Sequence, residues 1–163
     1  MGAPRIDETG RTILPVTFQK TSRGETNGAE LLLTGAVTPA WDLALGYSLF
    51  QLAVTDDEGL PYPEAARVTT PRHQLQLRSS VAFPRHLSLD SSFYYVGPIG
   101  DEVSAYLRLD AQLSWRSGRR WDLSISGQNL LQSRHTEFSG GPLESQLATP
   151  VQRTVNGKIT WRF

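Results

Sequence analysis

Apolar and polar residues alternate one for one along most of this chain. The plainest case is Ala105–Arg116, where Leu107, Leu109, Ala111, Leu113 and Trp115 alternate with Arg108, Asp110, Gln112, Ser114 and Arg116. A period of two sends successive side chains to opposite faces, so such a run predicts a β-strand with one apolar and one polar face. The C-terminal stretch repeats the pattern, with Val155, Gly157, Ile159, Trp161 and Phe163 against Asn156, Lys158, Thr160 and Arg162. Further strands are predicted over Arg11–Lys20, Asn27–Thr38, Trp41–Val54, Arg72–Phe83, Leu87–Val96 and Trp121–Leu131. With Val151–Phe163 they make eight strands, and no stretch of any length carries a helical period. Leu32 is the exception to the alternation in its strand. Residues 1–10 show no alternation and are expected to be a flexible N-terminal segment, with 11–163 forming the β unit. Every connection can be local, so the expected class is all-β, antiparallel and up-and-down.

The connections sort by length. Pro39-Ala40, Pro84-Arg85-His86 and Ser117-Gly118-Arg119-Arg120 are tight turns, whereas Thr21–Thr26, Thr55–Pro71, Gly97–Ser104 and Gln132–Pro150 are longer segments. Short turns on one rim and long loops on the other characterise outer-membrane barrels, on their periplasmic and extracellular sides respectively. All four tryptophans, Trp41, Trp115, Trp121 and Trp161, lie beside a short turn or the C-terminus and on the apolar face. Phe83 and Phe163 lie beside them. Trp favours a membrane–water interface, where the ring is apolar and its N–H finds water. These six residues are therefore expected to form an aromatic girdle. Between that girdle and the other rim, alternation alone assigns Leu43, Leu45, Leu77, Leu107, Leu109, Leu113, Leu123, Ile125 and Ile159 to lipid. A strand of ~11 residues at ~3.3 Å each, tilted ~45°, spans the ~25 Å apolar band.

Composition narrows the reading. Sixteen basic and sixteen acidic residues cancel, so nothing in the charge balance calls for nucleic acid. A mean hydropathy of −0.32 suits a soluble protein. It equally suits a barrel, because each lipid-facing residue has a lumen-facing neighbour. No apolar run is long enough for a transmembrane helix. With no cysteine there is no disulfide and no thiolate metal site. The N-terminal residues lack the apolar core of a signal peptide, so a barrel reading implies a piece of a longer precursor. The polar face carries Glu30, Asp42, Arg78, Asp90, Arg108, Asp110, Arg116, Asp122, Lys158 and Arg162. Burying these dry would be costly, and a wet or plugged lumen removes the cost.

Several motifs now carry a resemblance. Asn27-Gly28-Ala29-Glu30 with Pro39 and Trp41, then Tyr47-Ser48, resembles a Gly-x-Glu strand, its periplasmic turn and the Tyr-Ser of the next strand in TonB-dependent outer-membrane receptors. Tyr106-Leu107-Arg108-Leu109-Asp110 resembles the strand before that family's penultimate hairpin. Gly127-Gln128-Asn129-Leu130-Leu131, followed by Arg134-His135-Thr136-Glu137-Phe138, resembles the Asn-Leu-(Leu/Phe)-Asp box, with Gln132 in place of the Asp. Val155–Phe163 resembles the closing strand, in which Ile159, Trp161 and Phe163 would form the signal read by the barrel assembly machinery. The resemblance implies that 11–163 is the C-terminal part of a transmembrane β-barrel, about eight strands of a larger one of about 22 filled by a plug. It also implies a place in the Gram-negative outer membrane and a role in active uptake of a scarce solute, such as a ferric siderophore or cobalamin. The implied partners are outer-membrane lipid, the assembly machinery, the plug and remaining strands of a parent receptor, and, through that plug, the energy-transducing inner-membrane complex. Such a fragment is not expected to function without the missing parts.

Other sites read weakly. His73, His86 and His135 fall at a strand start, a turn and a loop and are not expected to converge on a metal. His135 and Glu137 fit local hydrogen bonding better than ligand contact. Asp56-Asp57-Glu58 and Arg119-Arg120 read as solvated loop and turn. No Ser-His-Asp order, phosphate loop or retained carboxylate pair marks an enzyme, so no catalytic, cofactor-binding or metal residue is assigned. Two rivals stay open: a self-contained eight-stranded outer-membrane barrel with a structural or adhesive role, and a soluble lipocalin-like binding protein.

Overall fold

The computed structural model describes residues 4–13, 22–56, 70–100, 103–118, 120–137 and 150–163. Within them, β1 (Arg5–Ile6) and β2 (Thr12–Ile13) form a small antiparallel hairpin. Its turn is organised by Asp7, whose carboxylate accepts from the amides of Thr9 and Arg11 at 2.9 Å and from the Thr9 hydroxyl at 2.7 Å. Those bonds hold the Asp7 carboxyl below the usual carboxylate range, the Thr9 hydroxyl first and the Arg11 amide next. The expected strand Arg11–Lys20 begins here, and its remainder lies outside the described residues.

The main body is one antiparallel sheet of seven strands. In chain order these are β3 (Ser22–Thr38), β4 (Trp41–Asp56), β5 (His73–Phe83), β6 (Leu87–Val96), β7 (Tyr106–Ser117), β8 (Trp121–Gln128) and, after an intervening hairpin, β11 (Thr154–Trp161). Each strand pairs with its sequence neighbour, and β11 closes against β8. The hairpin between them, β9 (Arg134–Thr136) with β10 (Pro150–Gln152), prolongs β8 and β11 past a break.

The ends of β4, β5, β7 and β11 shift by one or two residues from those the alternation predicts, and three differences are larger. The first is β3, which starts at Ser22 rather than Asn27 because Ser22–Thr26 pair with Leu52–Asp56, a bond pattern that needs no apolar row of its own. Strand β8 stops at Gln128 because Asn129 turns into the left-handed region, at φ 54°. The expected single strand Val151–Phe163 is broken at Arg153, whose amide donates to the Ser133 carbonyl. By contrast β6 runs over Leu87–Val96, as predicted.

The tight turns have local causes. Pro84 cannot donate to the ladder that β5 has been making. Arg85 and His86 then reverse the chain with φ of 64° and 61°. At the Pro39-Ala40 turn the register slips between Ala36 and Thr38, a bulge that admits Val37 as the extra residue. Gly28 permits close pairing of β3 and β4: a Cβ there would lie 2.8 Å from the backbone oxygen of Leu49.

Candidate functional site

Antiparallel partners point to the same side of a sheet, so the register fixes which residues share a face. Leu33 pairs with Leu45, Leu45 with Leu77, Leu77 with Phe93 and Phe93 with Leu109. Leu89 pairs with Leu113 and Leu113 with Ile125, while Trp115 pairs with Leu123 and Leu123 with Ile159. Leu43 and Leu107 fall in the same alternate rows. All nine residues assigned to lipid by alternation therefore stand on one face of the sheet.

Among the described residues that face has no partner layer. Among the described residues, Val103 alone is a buried hydrophobic, whereas Ile125 is 54% exposed and Ile159 72%. A soluble sheet would turn this face toward a core. Here the face lies open among the described residues, an apolar surface of a kind soluble monomers rarely carry.

At the short-turn rim of the same face stand the aromatic residues. Trp121 and Trp161 are paired in register and their rings stack, with centroids 5.8 Å apart and planes 19° from parallel. Phe163 extends the row, its ring centroid 5.8 Å from that of Trp161. Phe83 pairs with Leu87, which pairs with Trp115. Trp41 donates its indole N–H to Ser79 at 2.9 Å, which provides the polar partner the ring needs on an otherwise apolar wall.

The opposite face carries the charges. Arg116 and Arg162 both bond Asp122, Arg116 at 3.2 Å. Ser80 donates to Asp90 at 2.6 Å. Arg108 grips Asp110 with its Nε and Nη2, the shortest bond being 2.7 Å. Asp110 also accepts from the backbone N–H of Asn129 at 2.9 Å. Asn129 is fully buried, and its side-chain amide donates to the Val151 carbonyl at 3.1 Å. A residue with positive φ is thus fastened from both sides, and the β8 break becomes a fixed bend. The bend brings His135 onto the Tyr106 ring, with centroids 4.3 Å apart. His135 Nε2 bonds Glu137 at 2.8 Å, and Glu137 lies 3.5 Å from Arg108.

Alternation alone does not predict this Arg108–Asp110–Asn129 clasp. Its sequence signal was the Gly127–Leu131 motif, but nothing local says that Asn129 answers to Asp110, 19 residues away. The histidines stay apart. His73 starts β5 and bonds the Tyr47 hydroxyl at 2.8 Å, His86 occupies the turn after β5, and His135 belongs to the clasp. Asp56 ends β4, while Asp57, Glu58 and Arg119 lie outside the described residues.

The sequence profile of a family described as TonB dependent receptor-like, beta-barrel matches residues 4–130. No curated protein sequence matches. A solved structure, the closed form of the ferric-catecholate import receptor Fiu from E. coli K12, superposes with a TM-score of 0.70 at 19% identity. The match covers 98% of this chain and 23% of that one. At that identity the likeness concerns the fold.

Proposed function

The chain belongs to the TonB-dependent receptor-like β-barrel family, and from that membership we propose that it supplies the C-terminal strands of an outer-membrane receptor for active uptake of a scarce solute. The observation that carries the reading is the family match over residues 4–130. The two-faced sheet supports it, since an apolar wall with no partner layer among the described residues and a charged wall behind it suit strands between lipid and a polar lumen. The solved receptor it resembles is named for ferric-catecholate import. A ferric siderophore is accordingly the first solute class to test, with cobalamin next.

In this reading the chain is one part of a larger barrel. The sheet leaves the outer edges of β3 and β11 unpaired among the described residues, and free edges invite further strands. Those strands, together with a plug, would come from elsewhere in the receptor. Energy would arrive from the inner membrane through that plug, and the barrel assembly machinery would read Ile159, Trp161 and Phe163. No catalytic step is assigned to any residue.

Deletion of Phe163 tests the reading. The residue stands at the short-turn rim, beside Trp161 and far from the long connections. In the complete receptor its loss should lower the amount of folded protein in the outer membrane, read as heat-modifiable mobility on gels. Molecules that do fold should bind a ferric siderophore on intact cells with near-normal affinity. Normal assembly with lost binding would reverse the topology.

A further inference from the structure

The hairpin of β9 and β10 stands apart from the seven-stranded sheet. It is a two-stranded sheet of its own, three residue pairs long. Strands β8 and β11 both break where it begins, at Asn129 and Arg153. It leans to the polar side, because His135 stacks on Tyr106, which precedes Arg108 by two residues on the polar wall.

Its two attachments are unequal. At the base, the Asn129 amide donates to the Asp110 carboxylate at 2.9 Å and the Leu130 amide to the Leu109 carbonyl at 2.8 Å. The first of these is charge-assisted, the stronger kind of hydrogen bond. Leu130 is also seated close against β8, since a Cβ on Gly127 would come within 2.7 Å of its side chain. Farther out, the hairpin is held by Glu137, which lies 3.5 Å from Arg108, with side chains 34% and 28% exposed. Arg108 commits Nε and Nη2 to Asp110 and leaves Nη1 for Glu137. An ion pair this long and this wet holds weakly and is screened by salt. The stack on Tyr106 buries His135 Nδ1, which has no partner among the described residues, and that unmade bond offsets part of what the stack gains.

We propose that this hairpin is a strap that swings as one piece about Asn129 and Arg153, latched against the polar wall by Glu137 on Arg108. A tight base and a weak far contact put the pivot at the two strand breaks, because the weaker attachment opens first. Opening frees the Nη1 of Arg108 and uncovers the Tyr106 ring on the polar side of the sheet. The strap needs no particular solute, and the uptake reading stands or falls separately.

Hydrogen exchange followed by mass spectrometry on the complete receptor in detergent reads the swing. Peptides over Arg134–Glu137 and over Pro150–Arg153 should exchange together. They should exchange faster than Leu123–Ser126, whose residues are paired on both sides. Raising the salt should quicken the hairpin by screening the latch. Glu137→Gln keeps an acceptor for His135 Nε2 and removes the charge. It should quicken the hairpin about threefold, the effect of losing a part-exposed pair, and abolish the salt effect. Asn129→Gly keeps the positive φ and removes the side-chain bond to Val151. It should quicken both hairpin strands alike, about tenfold, and keep the salt effect.

Exchange of β9 apart from β10 would mean fraying strand by strand and would overturn the strap. So would a hairpin as slow to exchange as β8. No salt effect in the unaltered receptor, or one that survives Glu137→Gln, would overturn the latch. None of these results touches the family membership, and the salt titration of the unaltered receptor decides even where a variant fails to fold.

Discussion

Leu109→Arg is expected to block insertion of the complete receptor into the outer membrane, whereas Gln112→Arg is tolerated. The two positions lie on the same strand and differ only in face. Leu109 pairs with Phe93 in the apolar wall, and Gln112 pairs with Asp90 and Ser126 in the polar one. An arginine on the lipid face near the bilayer midplane costs ~2–4 kcal/mol, and one on the lumen side meets water or polar groups. Arg108 and Arg116 already occupy the polar wall of that strand. Outer-membrane fractions assayed for heat-modifiable protein will separate the variants. Equal insertion of both would mean that the facing is wrong.

The isolated chain is expected to be insoluble in plain buffer and to require detergent for refolding. The reason is the same wall seen in bulk. Leu31, Leu33, Ile125, Val155, Ile159 and Trp161 are each at least half exposed, and the described residues offer no apolar core to compensate. Two unpaired sheet edges add a route to aggregation through strand pairing. Expression in the cytoplasm should therefore yield inclusion bodies, and size-exclusion chromatography in detergent should be needed to recover a defined species. A sharp monomeric peak in plain buffer would instead favour a soluble sheet with its leucines inside.

How much of this was legible in the sequence depends on which force holds each element. Strands held by an apolar row could be read directly. The ends of Leu87–Val96 follow from alternation bounded by Pro84 on one side and Gly97-Pro98 on the other. So could the sharing of one face by the tryptophans and leucines, because a period of two admits no other arrangement in a paired sheet. Elements held by a neighbour could not. Ser22–Thr26 reads as loop, being polar and containing Gly24, yet it is strand because the first residues beyond Gln51 pair with it; context outweighs propensity there. The bend at Asn129 is a buried polar contact with Asp110, and no local pattern encodes a partner in another strand. The break at Arg153 belongs to the same bend. The uptake role proposed above rests on family membership, not on any site chemistry in these strands.

If these strands stand between lipid and lumen, their alternate residues face the two in turn. The chain contains no cysteine, so single cysteines can be introduced in turn from Leu107 to Trp115 in the complete receptor and treated, in isolated outer membranes, with a membrane-impermeant maleimide. Cysteines at the Arg108, Asp110, Gln112 and Ser114 positions should react, while those at the Leu107, Leu109, Ala111, Leu113 and Trp115 positions should not. Uniform reaction along the strand, or the inverse alternation, would contradict it.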